Sequence, residues 1–303
     1  MRTKTYLDYI TYSPEIRTSA TGLADSLPAV NSHDEVTRWL AKSKFDSTNL
    51  WAEVGSRVDL EKGYLVIDDT IIAKPHSDER RSSLVGKYWS DGAVKGINLV
   101  QMLWVKDQKV IPIDFHIVDK TVAKTKNEIA REMLKRAHKR GFRKTTILFD
   151  SWYGANETLQ LIGKLGYTYV TRFKKNRRIN SHGINVRAEV LSGKNVIKIS
   201  VPSVGSAKVL VTGPGIIIAT NKLSLSSKTL LRAYRARWKI EEFFRAVKQV
   251  YRLAGCQSRR AAAWRTHIYA SILAFARNAL AEINHYQLRS LACQKMLGGY
   301  LAA

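Results

Sequence analysis

Residues 145–173 read TTILFDSWYGANETLQLIGKLGYTYVTRF, and this stretch decides the fold class. Thr145–Phe149 is a short apolar strand that ends at Asp150. Asn156–Leu165 repeats its apolar residues at helical spacing and is stopped by Gly166; Tyr167–Phe173 is a second strand. Strand, helix and strand in close succession predict a sheet with helices packed on it.

The same grammar extends upstream. Lys126–Arg140 carries Ile129, Met133 and Ala137 on one helical face, and Gly141 closes it. Ile97–Val105 and Val110–Val118 are strands joined by the polar turn Lys106-Asp107-Gln108, which suits a hairpin. Tyr64–Ile67 is a short apolar strand running into Asp68, Asp69 and Thr70. The order β-β-β-α-β-α-β predicts an α/β domain with a mixed sheet. Downstream the alternation stops. Residues 176–225 hold short strands at Asn185–Leu191, Asn195–Val201, Lys208–Thr212 and Gly215–Thr220, a β-rich insertion. A long helix follows from Lys228 to Tyr251, and another over Ala261–Ile283. The first 60 residues are polar and helical, with Ser32 and Asp34 placed to cap a helix bearing Val36, Trp39 and Leu40. The predicted division is a helical region 1–60, serving DNA binding or dimerisation, a catalytic domain 61–285 and a tail 286–303.

The 303 residues carry 50 Lys and Arg against 25 Asp and Glu, a formal charge of +25. Self-repulsion of that size disfavours a compact state unless a polyanion offsets it. The basic residues run through the body of the chain, from Lys135 to Arg260, rather than forming one tail. That distribution predicts a broad phosphate-binding surface for nucleic acid. The hydrophobic fraction of 45% excludes wholesale disorder. Two cysteines, Cys256 and Cys293, make neither a disulfide scaffold nor a zinc pair, which fits a reducing compartment. The start of the chain lacks a signal-peptide pattern and no apolar run is long enough to span a bilayer. The expectation is a cytoplasmic, nucleoid-associated protein.

Three carboxylates stand out. Asp68 and Asp150 follow apolar strands, where α/β sheets place their chemistry. On a helical wheel set at Tyr234, Arg237 falls near 300°, Glu241 near 340° and Lys248 near 320°. They form a narrow polar stripe beside the buried face. Such a stripe suits a helix lining a cleft; the alternative is an ion-pair ladder in which Arg237 steadies Glu241 at i, i+4. Two aspartates and a glutamate are hard oxygen donors, the set that two Mg²⁺ ions use in phosphodiester chemistry. His76, His116 and His138 have no metal spacing. The tryptophans are read as core, with Trp152 excepted because it lies two residues past Asp150.

Tyr234-x2-Arg237-x3-Glu241-x6-Lys248 resembles the Y-R-E-K box of insertion-sequence DDE transposases, the insertion-sequence-four-like group. Asp68-Asp69-Thr70 resembles the first aspartate motif of that family, and Asp150-Ser151-Trp152-Tyr153-Gly154 its second. The resemblance covers residues 60–280. It implies an RNase H-like fold and Asp68, Asp150 and Glu241 as catalytic metal ligands, with Mg²⁺ or Mn²⁺, as two ions, for the cofactor. It also implies cleavage and transfer at transposon ends by hydrolysis and transesterification, with a homodimer assembled on paired ends. Tyr234, Arg237 and Lys248 would contact DNA, as would Arg172 with Lys174 and Lys175 beside it. Asp69 competes with Asp68 for the first position, and Glu242 with Glu241 for the third. A nuclease or resolvase with the same triad, or a non-catalytic DNA-binding relic, remains the alternative.

Overall fold

Strand β1, Tyr64–Ala73, is the axis of the sheet. In the computed structural model, which describes residues 3–12, 19–26, 32–78, 80, 82–90, 92–191, 196–212 and 215–288, β1 pairs antiparallel with β3, Gly92–Lys106. The ladder is unbroken from Tyr64 opposite Val105 to Ala73 opposite Gly96. Asp68 and Asp69 therefore lie within a strand of ten residues, not at the end of one that stops at Ile67. The long partner β3 overrides the local loss of apolar pattern. It also supplies a side-chain donor, since Asn98 Nδ2 bonds the Asp69 carboxylate at 2.7 Å.

The far edge of β3 is shared. β4, Lys109–Ile117, takes the C-terminal half. β2, Val85–Ser90, takes the N-terminal half and was not foreseen from the sequence. The β3–β4 turn is two residues, with Asp107 at φ 53°, a conformation that a tight hairpin demands and aspartate tolerates. On its other side β1 pairs parallel with β5, Thr146–Phe149, and β5 with β6, Thr168–Phe173. Helix α5, Lys126–Lys139, opens with a capping box between Thr125 and Glu128. It buries Ile129, Ala130, Met133, Leu134 and Ala137. Helix α6, Asn156–Lys164, joins β5 to β6.

The insertion continues the same sheet. β6 pairs antiparallel with β11, Ile217–Thr220, followed outward by β10, Gly205–Val211, then β9, Val196–Val201, then β7, Arg178–Ser181, and β8, Ile184–Arg187. The result is an eleven-stranded mixed sheet among the described residues. The long helix expected over 228–251 is two helices, α7 over Ser227–Ala236 and α8 over Lys239–Gln249. At the joint the N–H groups of Arg237, Trp238, Ile240 and Glu241 donate to carbonyls three residues back. This tightening to about three residues per turn interrupts the α-helical wheel.

Helix α9, Ala261–Leu280, is buried for most of its length. It packs on β4, on α8, and on the N-terminal helices α1, Thr3–Tyr12, and α3, His33–Lys42. Two short helices, α2 over Ala20–Ser26 and α4 over Ser47–Val54, complete that region. Ser32 caps α3 by accepting from Glu35 N–H. The N-terminal helices thus share one hydrophobic core with the sheet.

His267 ties α9 to α1. Its ring is fully buried, with Nδ1 2.8 Å from the Tyr6 hydroxyl and Nε2 2.8 Å from the Arg252 carbonyl. Burial pushes its pKa down to about 4, against the Arg252 carbonyl, which favours the charged ring. A histidine in the unfolded chain titrates near 6.5, so the stability its neutral form contributes is complete above that pH. It is lost as pH falls toward 4, because the unfolded chain takes a proton that the folded chain refuses. Urea denaturation of the wild type should lose about 2 kcal/mol from this group between pH 7 and pH 5. His267→Gln should be less stable at pH 7 and show a correspondingly shallower pH dependence over that window.

Candidate active site

The parallel register places the two aspartates side by side. Val66 stands opposite Leu148, so two residues on along each strand Asp68 lies level with Asp150. Pairing of β1 with β5 ends at Val66 and Leu148. Asp150 then caps a 3₁₀ turn over Ser151–Tyr153, its Oδ1 accepting from Trp152 N–H at 2.8 Å. Successive residues of a strand face opposite ways. Asp68 and Asp69 are thereby given different surroundings.

The Asp69 carboxylate is saturated. Its Oδ1 accepts from Lys126 Nζ at 3.0 Å and from the Tyr153 hydroxyl at 2.7 Å. Its Oδ2 accepts from Lys126 Nζ at 2.9 Å and Asn98 Nδ2 at 2.7 Å. A carboxylate offers about four lone-pair directions, and here all are taken by protein. Burial, with Asp69 beside it, holds the Tyr153 hydroxyl well above its usual pKa, so it stays a donor. The sequence left Asp69 as a rival to Asp68; its bonds instead join β1, β3, α5 and the turn after β5.

Asp68 faces the joint between α7 and α8. Arg237 reaches from that joint to both sides, with Nη1 3.3 Å from Asp68 Oδ2 and Nη2 2.7 Å from Glu241 Oε1. Burial raises the Asp68 pKa to about 7; the Asp150 charge adds to the rise, while the Asp69 N–H bond and Arg237 oppose it. Asp68, Asp150 and Glu241 come from three separate elements. They are all-oxygen donors, the chemistry that a hard divalent cation takes. The excess negative charge on Asp68 and Asp150 is what such a cation would relieve, so the donor set fits one. With Arg237 drawn between Asp68 and Glu241, no cluster of three His, Cys, Asp or Glu among the described residues stands in coordinating geometry.

The other residues singled out from the sequence are placed as follows. Tyr234 is half-buried on α7, with its ring 5.8 Å from the Arg237 guanidinium carbon. Lys248 is exposed on α8, and Arg172, Lys174 and Lys175 are exposed at and after the end of β6. Glu242 points outward and pairs with Lys239 at 2.7 Å. Because the helix is broken at Arg237, the four-residue stripe does not run along one continuous helical face. Trp152 is exposed, but so are Trp89 and Trp238, against the expectation that they fill the core. Both lie where apolar pattern misleads, Trp89 near the tip of the β2–β3 hairpin and Trp238 at the helix joint. Cys256 is buried and free, and Cys293 lies outside the described residues. Among the described residues no helix is long and apolar enough to cross a membrane.

A family model described as "Transposase DDE domain" matches residues 60–277. No curated protein matches the chain significantly. Among solved structures, the piggyBac transposase synaptic complex with hairpin DNA aligns at TM-score 0.59 and 11% identity, covering 95% of this chain and 69% of that one. That likeness shows a shared fold, which is RNase H-like. Ciona intestinalis endonuclease V in complex with DNA aligns at TM-score 0.30 and 12% identity, covering 83% of this chain and 99% of its own. The Drosophila P element transposase strand transfer complex aligns at 0.25 and 12%, covering 84% and 62%.

The saturated Asp69 cluster yields a stability test. Asp69→Ala removes the acceptor for three donors and leaves the Lys126 charge without its partner. It should cost about 3 kcal/mol in denaturant titrations, whereas Asp68→Ala should cost much less or stabilise by relieving repulsion. Equal and small effects from both substitutions would contradict the division of roles drawn here.

Proposed function

The chain belongs to the transposase DDE domain family, and we propose that Asp68, Asp150 and Glu241 are the carboxylates with which it cuts and transfers DNA. It is a DNA transposase, a metal-dependent enzyme acting on DNA strands. The observation that carries the site assignment is the Arg237 bridge. One half-buried cation spans Asp68 and Glu241 at 3.3 and 2.7 Å, with Asp150 just past the end of the neighbouring strand β5 and level with Asp68 by register. The Arg237 contacts to Asp68 and Glu241, and the register of Asp150 with Asp68, support reading the three carboxylates as one site.

Asp68, Asp150 and Glu241 would hold a divalent cation, proposed as Mg²⁺ or Mn²⁺ and as a pair of ions. The cation's contribution is to activate a water or DNA hydroxyl and to offset charge on the leaving oxygen. Arg237, displaced from the two carboxylates, would turn its guanidinium to a DNA phosphate. Its Nε is buried and has no partner among the described residues, so the side chain has a donor to spare. Tyr234 beside it and Lys248 on α8 complete the proposed Y-R-E-K box and its insertion-sequence-four-like placement. Arg172, Lys174 and Lys175 would extend the contact along the backbone, where phosphate bonds fix register rather than sequence. Pairing of two element ends calls for two copies of the chain, and a homodimer is part of this proposal.

Single substitutions test the assignment. Asp68→Ala, Asp150→Ala and Glu241→Ala should each lower cleavage of element-end DNA by at least about a thousandfold. DNA affinity should remain within about threefold, because the basic surface is intact. Cleavage by Asp68→Ala at the wild-type rate would remove Asp68 from the site. A gel-based cleavage assay beside an anisotropy titration reads both quantities.

A further inference from the structure

The indole of Trp152 is 54% exposed, two residues past Asp150, on a turn fixed from three directions. Asp150 Oδ1 accepts its N–H, Asn127 Nδ2 donates to its carbonyl at 3.3 Å, and the next residue, Tyr153, is anchored to Asp69. An isolated exposed aromatic is ordinary on a protein surface. This one carries two ammonium groups. Lys126 Nζ lies 5.1 Å and Lys174 Nζ 4.9 Å from its ring centroid. Lys126 is held by Asp69. Lys174 is exposed, and no carboxylate among the described residues pairs with it; the ring is its contact.

A rigid aromatic plane flanked by cations is the chemistry that binds a nucleotide of a single strand, the plane taking the base and the cations its phosphates. We propose that Trp152, with Lys174, forms a subsite for one unpaired nucleotide next to the scissile phosphate. This rests on the placement of catalysis at Asp68, Asp150 and Glu241. An arriving base replaces the loosely held Lys174 ammonium on the ring, and the ammonium moves to the adjacent phosphate. Lys126, tied to Asp69, keeps its place. The subsite would thus hold the strand beside Asp150 through a base of any identity, because every base has a stacking face. A competing role is purely structural: Trp152 as a cation-π staple between the start of α5 and the chain after β6.

Anisotropy titrations with a short labelled oligothymidylate strand, and with an abasic strand of equal length, separate base contact from charge. The wild type should prefer the base-bearing strand by about tenfold. Trp152→Ala should bring that ratio close to one, and Trp152→Phe should keep most of it. Lys174→Gln should weaken both strands alike, leave the ratio in place, and lower the salt slope by about one. An unchanged ratio in Trp152→Ala overturns the subsite, as does a loss of thermal stability in Trp152→Ala without a change in ratio, which is the staple's signature. Glu241→Ala, assayed alongside, should show the wild-type ratio and no cleavage. Cleavage by Glu241→Ala would defeat the carboxylate assignment alone, whereas a ratio that survives loss of the indole defeats the subsite alone.

Discussion

The four hydrogen bonds on the Asp69 carboxylate hold the site together. A half-buried acid with every lone pair engaged is costly to disturb, because each donor it releases would be left without a partner. Its donors come from β3, from the first turn of α5 and from the turn after β5. The consequence is positional. Tyr153 is three residues past Asp150, so fixing its hydroxyl fixes the turn that Asp150 caps. Asp69, saturated by protein donors, thus fixes the surroundings of Asp68 and Asp150.

Arg237 balances the opposite face of β1. Burial and the nearby Asp150 make Asp68 reluctant to ionise, and a guanidinium between Asp68 and Glu241 offsets part of that penalty. The arrangement is a buried charge network whose members come from a strand and a helix joint. Removing Arg237 would leave both carboxylates without their shared counter-charge. Of the two ideas set against each other for Arg237, the structure shows the ion pair with Glu241, and the grip on phosphate belongs to the proposed function.

Much of this was legible in the sequence. The helix-strand-helix-strand order from 126 to 173 follows from periodicity and two glycine stops, Gly141 and Gly166, both at positive φ. Asp68, Asp150 and Glu241 stood out as candidates through apolar runs ahead of the two aspartates and a spacing pattern around Glu241, although the strand ends before Asp150 and not at Asp68. What escaped the reading depends on partners distant in sequence. β1 runs past its apolar portion because β3 pairs with all of it. β2, with a glycine at 86 and a lysine at 87, is a strand because the long edge of β3 accepts it. The break at Arg237 and Trp238 has no proline or glycine to announce it. The choice between Asp68 and Asp69 turns on Asn98 and Lys126, 29 and 57 residues away, and no local pattern records which face of a strand meets them.

The insertion departs from β6 at Phe173 and returns in β11 at Ile217, and these two residues are register partners. The excursion therefore opens and closes within one strand spacing, about 5 Å. Its length is decoupled from the distance between the half of the fold that bears the aspartates and the half that bears the glutamate. Closing a longer loop across a fixed gap adds only slowly to its entropic cost. Strands could be gained or lost at the outer edge, beyond β11, while the joint at Arg237 stays in register with β1. Natural variation in chain length should concentrate there, and a foreign segment grafted into the His182-Gly183 turn between β7 and β8, at the outer edge of the sheet, has the best prospect of leaving the site geometry untouched.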